Sequence, residues 1–187
     1  MAVIWLLLSS ASLFSRGPGD RGLLLGFNTS SFTGSESTIE NNSYIPGLTI
    51  GFFQEFEIGP HMIIGPEIAF TTKGSRLQTV EDLYLHQVIT YMELPLLVNW
   101  IVNPGKRSRA FLVGGPTFSY MLLAFNEVGF PEEVSRFDFG VSLGMGVRWH
   151  KIRCRIHMNQ GLIDVDKSNS LTRVKNRTFN FTVGLSF

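Results

Sequence analysis

A single cysteine, Cys154, is all the thiol chemistry this 187-residue chain holds, which excludes an intramolecular disulfide and leaves the redox compartment unmarked. Charge is scarce as well. Asp, Glu, Lys and Arg make up 17% of the residues and the formal net charge is +1, so no field recruits nucleic acid or acidic substrates. No apolar run reaches the roughly 18 residues a membrane helix needs, because Gly, Pro or a charge interrupts each one. No stretch beyond about ten residues carries a helical period. The four histidines, His61, His86, His150 and His157, lack metal-ligand spacing, and neither a Gly-x-Ser-x-Gly elbow nor a phosphate-binding glycine loop is present. The expectation is a chain with no metal, no cofactor and no catalytic set.

What the chain does have is aromatic and glycine content, with 16 Phe and 19 Gly, a bias that favours strands, crowded inward positions and tight turns. Its last eleven residues alternate without a break: Phe179, Phe181, Val183, Leu185 and Phe187 against Asn180, Thr182, Gly184 and Ser186. The same period of two predicts eight strands, near Arg21–Ser31, Pro46–Ile58, His61–Leu77, Gln87–Val102, Arg109–Ala124, Ser135–Trp149, Lys151–Asp164 and Asn176–Phe187. Their connections alternate between long and short, as in bacterial outer-membrane barrels with short periplasmic turns, long outer loops and both termini periplasmic. Ahead of the strands, the apolar run Val3 to Leu8 and the small residues Ser9-Ser10-Ala11 suggest a secretory signal over residues 1–16, leaving a barrel domain over 21–187.

Parity decides which solvent the sheet faces. In the sixth segment Phe137, Phe139, Val141, Leu143, Met145, Val147 and Trp149 share one face, opposite Asp138, Gly140, Ser142, Gly144, Gly146 and Arg148. In the seventh, Ile152, Cys154, Ile156 and Met158 oppose Arg153, Arg155, His157 and Asn159. Such stripes on strand after strand exceed any patch a soluble protein shows to water, so the apolar face is expected outside, in lipid. A soluble lipocalin-like carrier would need the reverse. Trp100, Trp149, Phe56 and Phe187 fall at the periplasmic ends as an interfacial aromatic girdle. In the fifth segment Phe111, Val113 and Met121 take the inner parity, and a bulge near Gly114-Gly115-Pro116 is expected to switch the face.

Two segments are similar to hallmarks of the PorT-like outer-membrane β-barrel family common in Bacteroidetes. One is Ile64-Gly65-Pro66-Glu67-Ile68-Ala69-Phe70-Thr71-Thr72-Lys73-Gly74, and the other is Tyr91-Met92-Glu93-Leu94-Pro95-Leu96-Leu97. Gly26 to Ser30 and Gly161 to Asp164 are weaker echoes. The resemblance spans Gly22 to Phe187 and implies an all-β, eight-stranded antiparallel up-and-down transmembrane barrel in a Gram-negative outer membrane, usually without a known ligand or reaction.

The inward parity gathers Glu55, Glu67, Glu93 and Asp138 with Lys73, Arg148, Arg153, Arg155 and His157. Eight strands leave an interior that side chains fill, so this network is expected to plug the lumen rather than line a pore. A cross-lumen Glu67–Arg155 pair, with Glu93 near enough to join, is the sharpest expectation. The role read from this is structural, in assembly, or mediated by extracellular loops that meet a protein partner. Outer-membrane lipid and barrel-insertion machinery are the other partners. A lipid-modifying barrel enzyme is the rival, for which His86 and Ser135 qualify only by position.

Overall fold

The computed structural model describes residues 19–34, 43–78, 84–126, 136–163 and 174–187. Nine β segments follow one another: β1 (Arg21–Gly34), β2 (Ser43–Gln54), β3 (Phe56–Glu57), β4 (Met62–Gln78), β5 (Tyr84–Ile101), β6 (Ser108–Asn126), β7 (Phe137–Trp149), β8 (Ile152–Gly161) and β9 (Val174–Ser186). β3 continues β2 in the same register past Glu55, whose amide donates to the carbonyl of Asp20 at 2.7 Å instead. The two therefore form one stave. Each stave pairs antiparallel with its neighbours, and β2 pairs with both β1 and β4, so the sheet closes as an eight-stranded barrel. The expected signal over 1–16 and the long-loop residues 35–42, 79–83, 127–135 and 164–173 lie outside the described residues, as does Ser135.

The registers fix the barrel's shape. Following partners once round, from Pro46 through Thr29, Phe179, Met158, Leu143, Gly114, Val98 and Ile64, the path returns to the starting stave at Phe56, ten residues along. With a rise of about 3.3 Å per residue and about 4.8 Å between strands, that shear tilts the staves by about 40° and sets a backbone radius of about 8 Å. Ten residues at that tilt rise about 25 Å, the height of the apolar band of an outer-membrane barrel.

The outer surface supplies that band. Phe27 is 69% exposed while its neighbour-but-two Leu24 is 1% exposed. Leu23, Leu25, Ile50, Leu143, Met145, Ile156 and Leu185 all face outward on their staves and are equally bare. Water penalises such a belt on every stave, and hydrocarbon does not. Among the described residues no helix is long and apolar enough to cross a membrane.

The interior is mixed rather than uniformly polar. Ile63, Leu97, Ile101, Phe111 and Val113 form a buried apolar cluster toward the tight turns, and Ile89, Tyr91 and Met121 form a second one farther along. Glycines make the room: a Cβ on Gly146 would lie 2.4 Å from the Phe111 ring, and one on Gly22 would lie 2.7 Å from Phe53. The expected change of face in β6 falls elsewhere. Phe111, Val113, Thr117, Ser119 and Met121 all point inward, so Gly114-Gly115-Pro116 carries no switch. The register instead slips between Thr90 and Tyr91, where Leu122 and Leu123 both face out. The sequence placed the bulge at its Gly-Pro signal, whereas the extra residue sits among leucines that lipid accepts on either side.

Candidate functional site: the charged lumen and its mouth

Inward-facing charges come from staves on opposite sides of the barrel. Glu55 lies between β2 and β3, Glu67 and Lys73 are on β4, and Glu93 is on β5. Asp138 and Arg148 are on β7, and Arg153, Arg155 and His157 are on β8. An inward tilt alone would strand each of these in a medium that resists isolated charge. The structure groups seven of them into two ion-paired sets and leaves Asp138 and His157 beside the second.

The first set is a ladder. Arg155 donates from both terminal nitrogens to Glu67, Nη1 to Oε1 and Nη2 to Oε2, each at 2.8 Å. Arg153 bridges the two carboxylates, reaching Glu55 Oε1 at 2.7 Å and Glu67 Oε1 at 2.8 Å. Arg148 pairs with Glu55 through Nη2 and lies 3.4 Å from Asp20 Oδ2 through Nη1. Three carboxylates thus face three guanidiniums in alternation, and the set is neutral. The Arg153 guanidinium also stacks over the Phe53 ring at 4.1 Å, which holds its fork toward the lumen axis. Arg153, Arg155 and Glu55 are each at most 2% exposed.

The second set lies nearer the long-loop end. Lys73 meets Glu93 at 2.5 Å, Thr71 donates to Glu93 Oε2 at 3.0 Å, and Ser119 donates to Oε1 at 3.4 Å. Glu93 therefore belongs with Lys73 and does not join Arg155, because Thr71 and Ser119, its flanking neighbours on β4 and β6, hold it there. Lys73 also sits 5.0 Å over the Tyr91 ring. Asp138 is buried, with its Oδ1 unpartnered among the described residues. His157 stands next to Arg155 on the inner face of β8, and its Nδ1 is unpartnered in the same sense.

The four girdle aromatics gather at the tight-turn end. Trp100, Trp149 and Phe187 are each more than half exposed and Phe56 is half-buried. His61 stacks on Trp100 at 5.9 Å, His150 meets Trp149 edge-on at 5.0 Å, and Arg21 lies 5.9 Å over Phe187. Three of the four aromatics thus carry a polar or cationic partner at that end of the barrel.

Sequence reasoning missed the mouth itself. A cavity of about 290 Å³ opens at this end, floored by Arg148 and rimmed by Asp20, Glu57, Arg107 and Arg109, with Lys106 and His150 beside them. Asp20 precedes the first strand and the others sit in or beside turns, where a period of two has nothing to report. Among the described residues no cluster of His, Cys, Asp and Glu is arranged to hold a metal.

A closed, sheared eight-stave sheet with apolar side chains outside and ion pairs inside is a small transmembrane β-barrel. The chain belongs to the outer membrane protein beta-barrel domain family, whose model matches residues 20–167, and this places it in the bacterial outer membrane. Among solved structures it is similar to the outer membrane protein OprG of Pseudomonas aeruginosa, with a TM-score of 0.58 and 12% identity over 92% of this chain and 98% of that one. It is also similar to Ail, the attachment invasion locus protein of Yersinia pestis, in complex with the heparin analogue sucrose octasulfate, with a TM-score of 0.52 and 14% identity over 91% and 100%. Neisserial surface protein A gives a TM-score of 0.50 and 10% identity over 88% and 97%. At such identities the likeness is one of fold. No curated protein matches the chain.

Proposed function

We propose that this protein is a non-conducting, non-catalytic outer-membrane barrel whose lumen is plugged by its own ion pairs, and that it acts through its long loops or as an assembly component. The observation that carries this reading is the unbroken run Arg148, Glu55, Arg153, Glu67, Arg155 across the interior. A barrel of about 8 Å backbone radius has little room left once large side chains meet on its axis. Each side chain in the run is held by at least one opposite charge, so opening a path would uncover a buried ion.

The PorT-like motifs support placing the chain nearer that branch of the family. Ile64 to Gly74 and Tyr91 to Leu97 sit side by side on β4 and β5 and supply Glu67, Lys73 and Glu93, members of both charged sets. The signal peptide, the periplasmic termini and the need for insertion machinery belong to the same reading, supported by tight turns and aromatics at the end where β1 begins and β9 finishes. Reconstitution into a planar lipid bilayer tests it. The expected result is no stable conductance, and a steady, salt-dependent single-channel current would overturn the plugged lumen. Protease or antibody access to a tag inserted in 35–42 of intact cells, with none at the C-terminus, is the expected orientation.

A further inference from the structure

We infer that the mouth at the tight-turn end is a binding site for an oxyanion of the phosphate class, held by Lys106 and Arg107. The proposal goes beyond the plugged-barrel reading and does not depend on it. Three observations converge.

The first is a charge balance that does not close. Arg148 is satisfied by Glu55 and Asp20, and Arg109 lies 3.5 Å from Glu57. Lys106 and Arg107 have no carboxylate partner among the described residues, so the cup retains two positive charges. The second is preorganisation. The turn that carries both residues is braced by Asn103, whose Nδ2 donates to the carbonyl of Ser108 at 3.0 Å and whose Oδ1 accepts from the amide of Ala110 at 2.6 Å. Arg107 Nε donates to His150 Nε2 at 2.8 Å, tying this turn to the β7–β8 turn. That bond uses one edge of the guanidinium and points the plane of the fork, leaving its terminal nitrogens for a bidentate oxyanion.

The third is shape and position. The cavity of about 290 Å³ accommodates a phosphate group with several attached heavy atoms. Its walls come from residues before β1, at the end of β3, before and at the start of β6, and at the end of β7, on both sides of the barrel. The cup is therefore axial and opens to water rather than into the apolar band. Two sources share this chemistry, a soluble phosphate ester and the headgroup of an anionic phospholipid, and the axial position favours the soluble one.

The test uses the full-length barrel refolded in a maltoside detergent, which brings no phosphate of its own. Calorimetric titration with glycerol phosphate should show saturable binding of one per barrel, weakened at least tenfold by Arg107→Ala and by Lys106→Ala. Lys151→Ala, an exposed cation on the next turn but outside the cup, should leave it unchanged. Both cup residues are exposed, so all three variants should keep the heat-dependent gel shift of a folded barrel. If glycerol phosphate fails but phosphatidylglycerol added to the micelles binds with the same pattern of variants, the site stands and its ligand is the lipid headgroup. Absence of saturable binding by either probe, or equal loss in Lys151→Ala, overturns the site.

Discussion

Arg155 and Glu67 face each other across the lumen from β8 and β4, joined by two parallel hydrogen bonds of 2.8 Å. Neither residue has a sequence neighbour on the other's stave, so the pair staples opposite walls of the barrel. A charge that has left water for this interior is tolerated only while its partner stays.

Removing one member should therefore cost far more than removing both. Arg155→Leu is expected to destabilise the barrel by about 3–5 kcal/mol, since Glu67 keeps only Arg153. The double variant Arg155→Leu with Glu67→Gln should recover a substantial part, because no carboxylate is then left short of a counter-charge. Urea unfolding in lipid vesicles, followed by tryptophan fluorescence, measures both. Equal losses in the single and double variants would mean that the pair contributes nothing beyond packing.

Asn99 makes the opposite prediction. It is 2% exposed, and neither its Nδ2 nor its Oδ1 has a partner among the described residues. It sits across from Ile63 and Val113, members of an apolar cluster. Asn99→Leu should be neutral or stabilising, within about 1 kcal/mol, since replacing an unmated amide with an apolar group of similar shape removes a desolvation cost. A loss above about 2 kcal/mol in the same vesicle assay would reveal a partner for the amide, such as an ordered water.

Cys154 tests the outer face. It lies between Val147 on β7 and Val183 on β9, both outward-facing. In vesicles it should resist a charged, membrane-impermeant maleimide and react with an apolar one, and denaturation should abolish the difference. Rapid labelling by the charged reagent in the folded barrel would reverse the assignment of inside and outside.

A fourth prediction concerns a thin place in the wall. The hydrogen-bonded pairs between β4 and β5 fall on odd positions, as the bond from Ile101 N to His61 O shows, and those between β5 and β6 fall on even ones, as Val102 N to Ala110 O shows. Pro95 and Pro116 occupy such positions and offer no N–H, so the carbonyls of Glu67 and Leu96 lose their ladder donors. The regular pairing is interrupted there on both sides of β5. Pro116→Ala should restore a donor to Leu96 and stabilise by about 0.5–1.5 kcal/mol. Hydrogen exchange at Leu96 and Leu97 should slow in step, and unchanged exchange would show that the gap has another cause.

Much of this architecture was legible because a strand reports its two faces in alternate letters. Asp138, Arg148, Arg153 and Arg155 could be assigned inward from parity alone, and the opposition of β4 and β8 follows from counting staves. Parity says nothing of height, so it leaves Glu93 near Arg155, whereas shear sets it beside Lys73. The bulge escapes parity for a related reason. Gly114-Gly115-Pro116 looks like a break, yet extended backbone accepts it, while Leu122 and Leu123 give no sign that both face out. The mouth was invisible because Asp20, Arg107 and His150 meet only through turn geometry.

The seam between β1 and β9 joins the two ends of the chain, from Gly22 against Ser186 to Gly34 against Val174. No other ladder in the wall links segments so far apart in sequence. The ring cannot be completed until the last residues have arrived, so a chain cut short by one segment is an open ribbon with two raw borders rather than a narrower barrel.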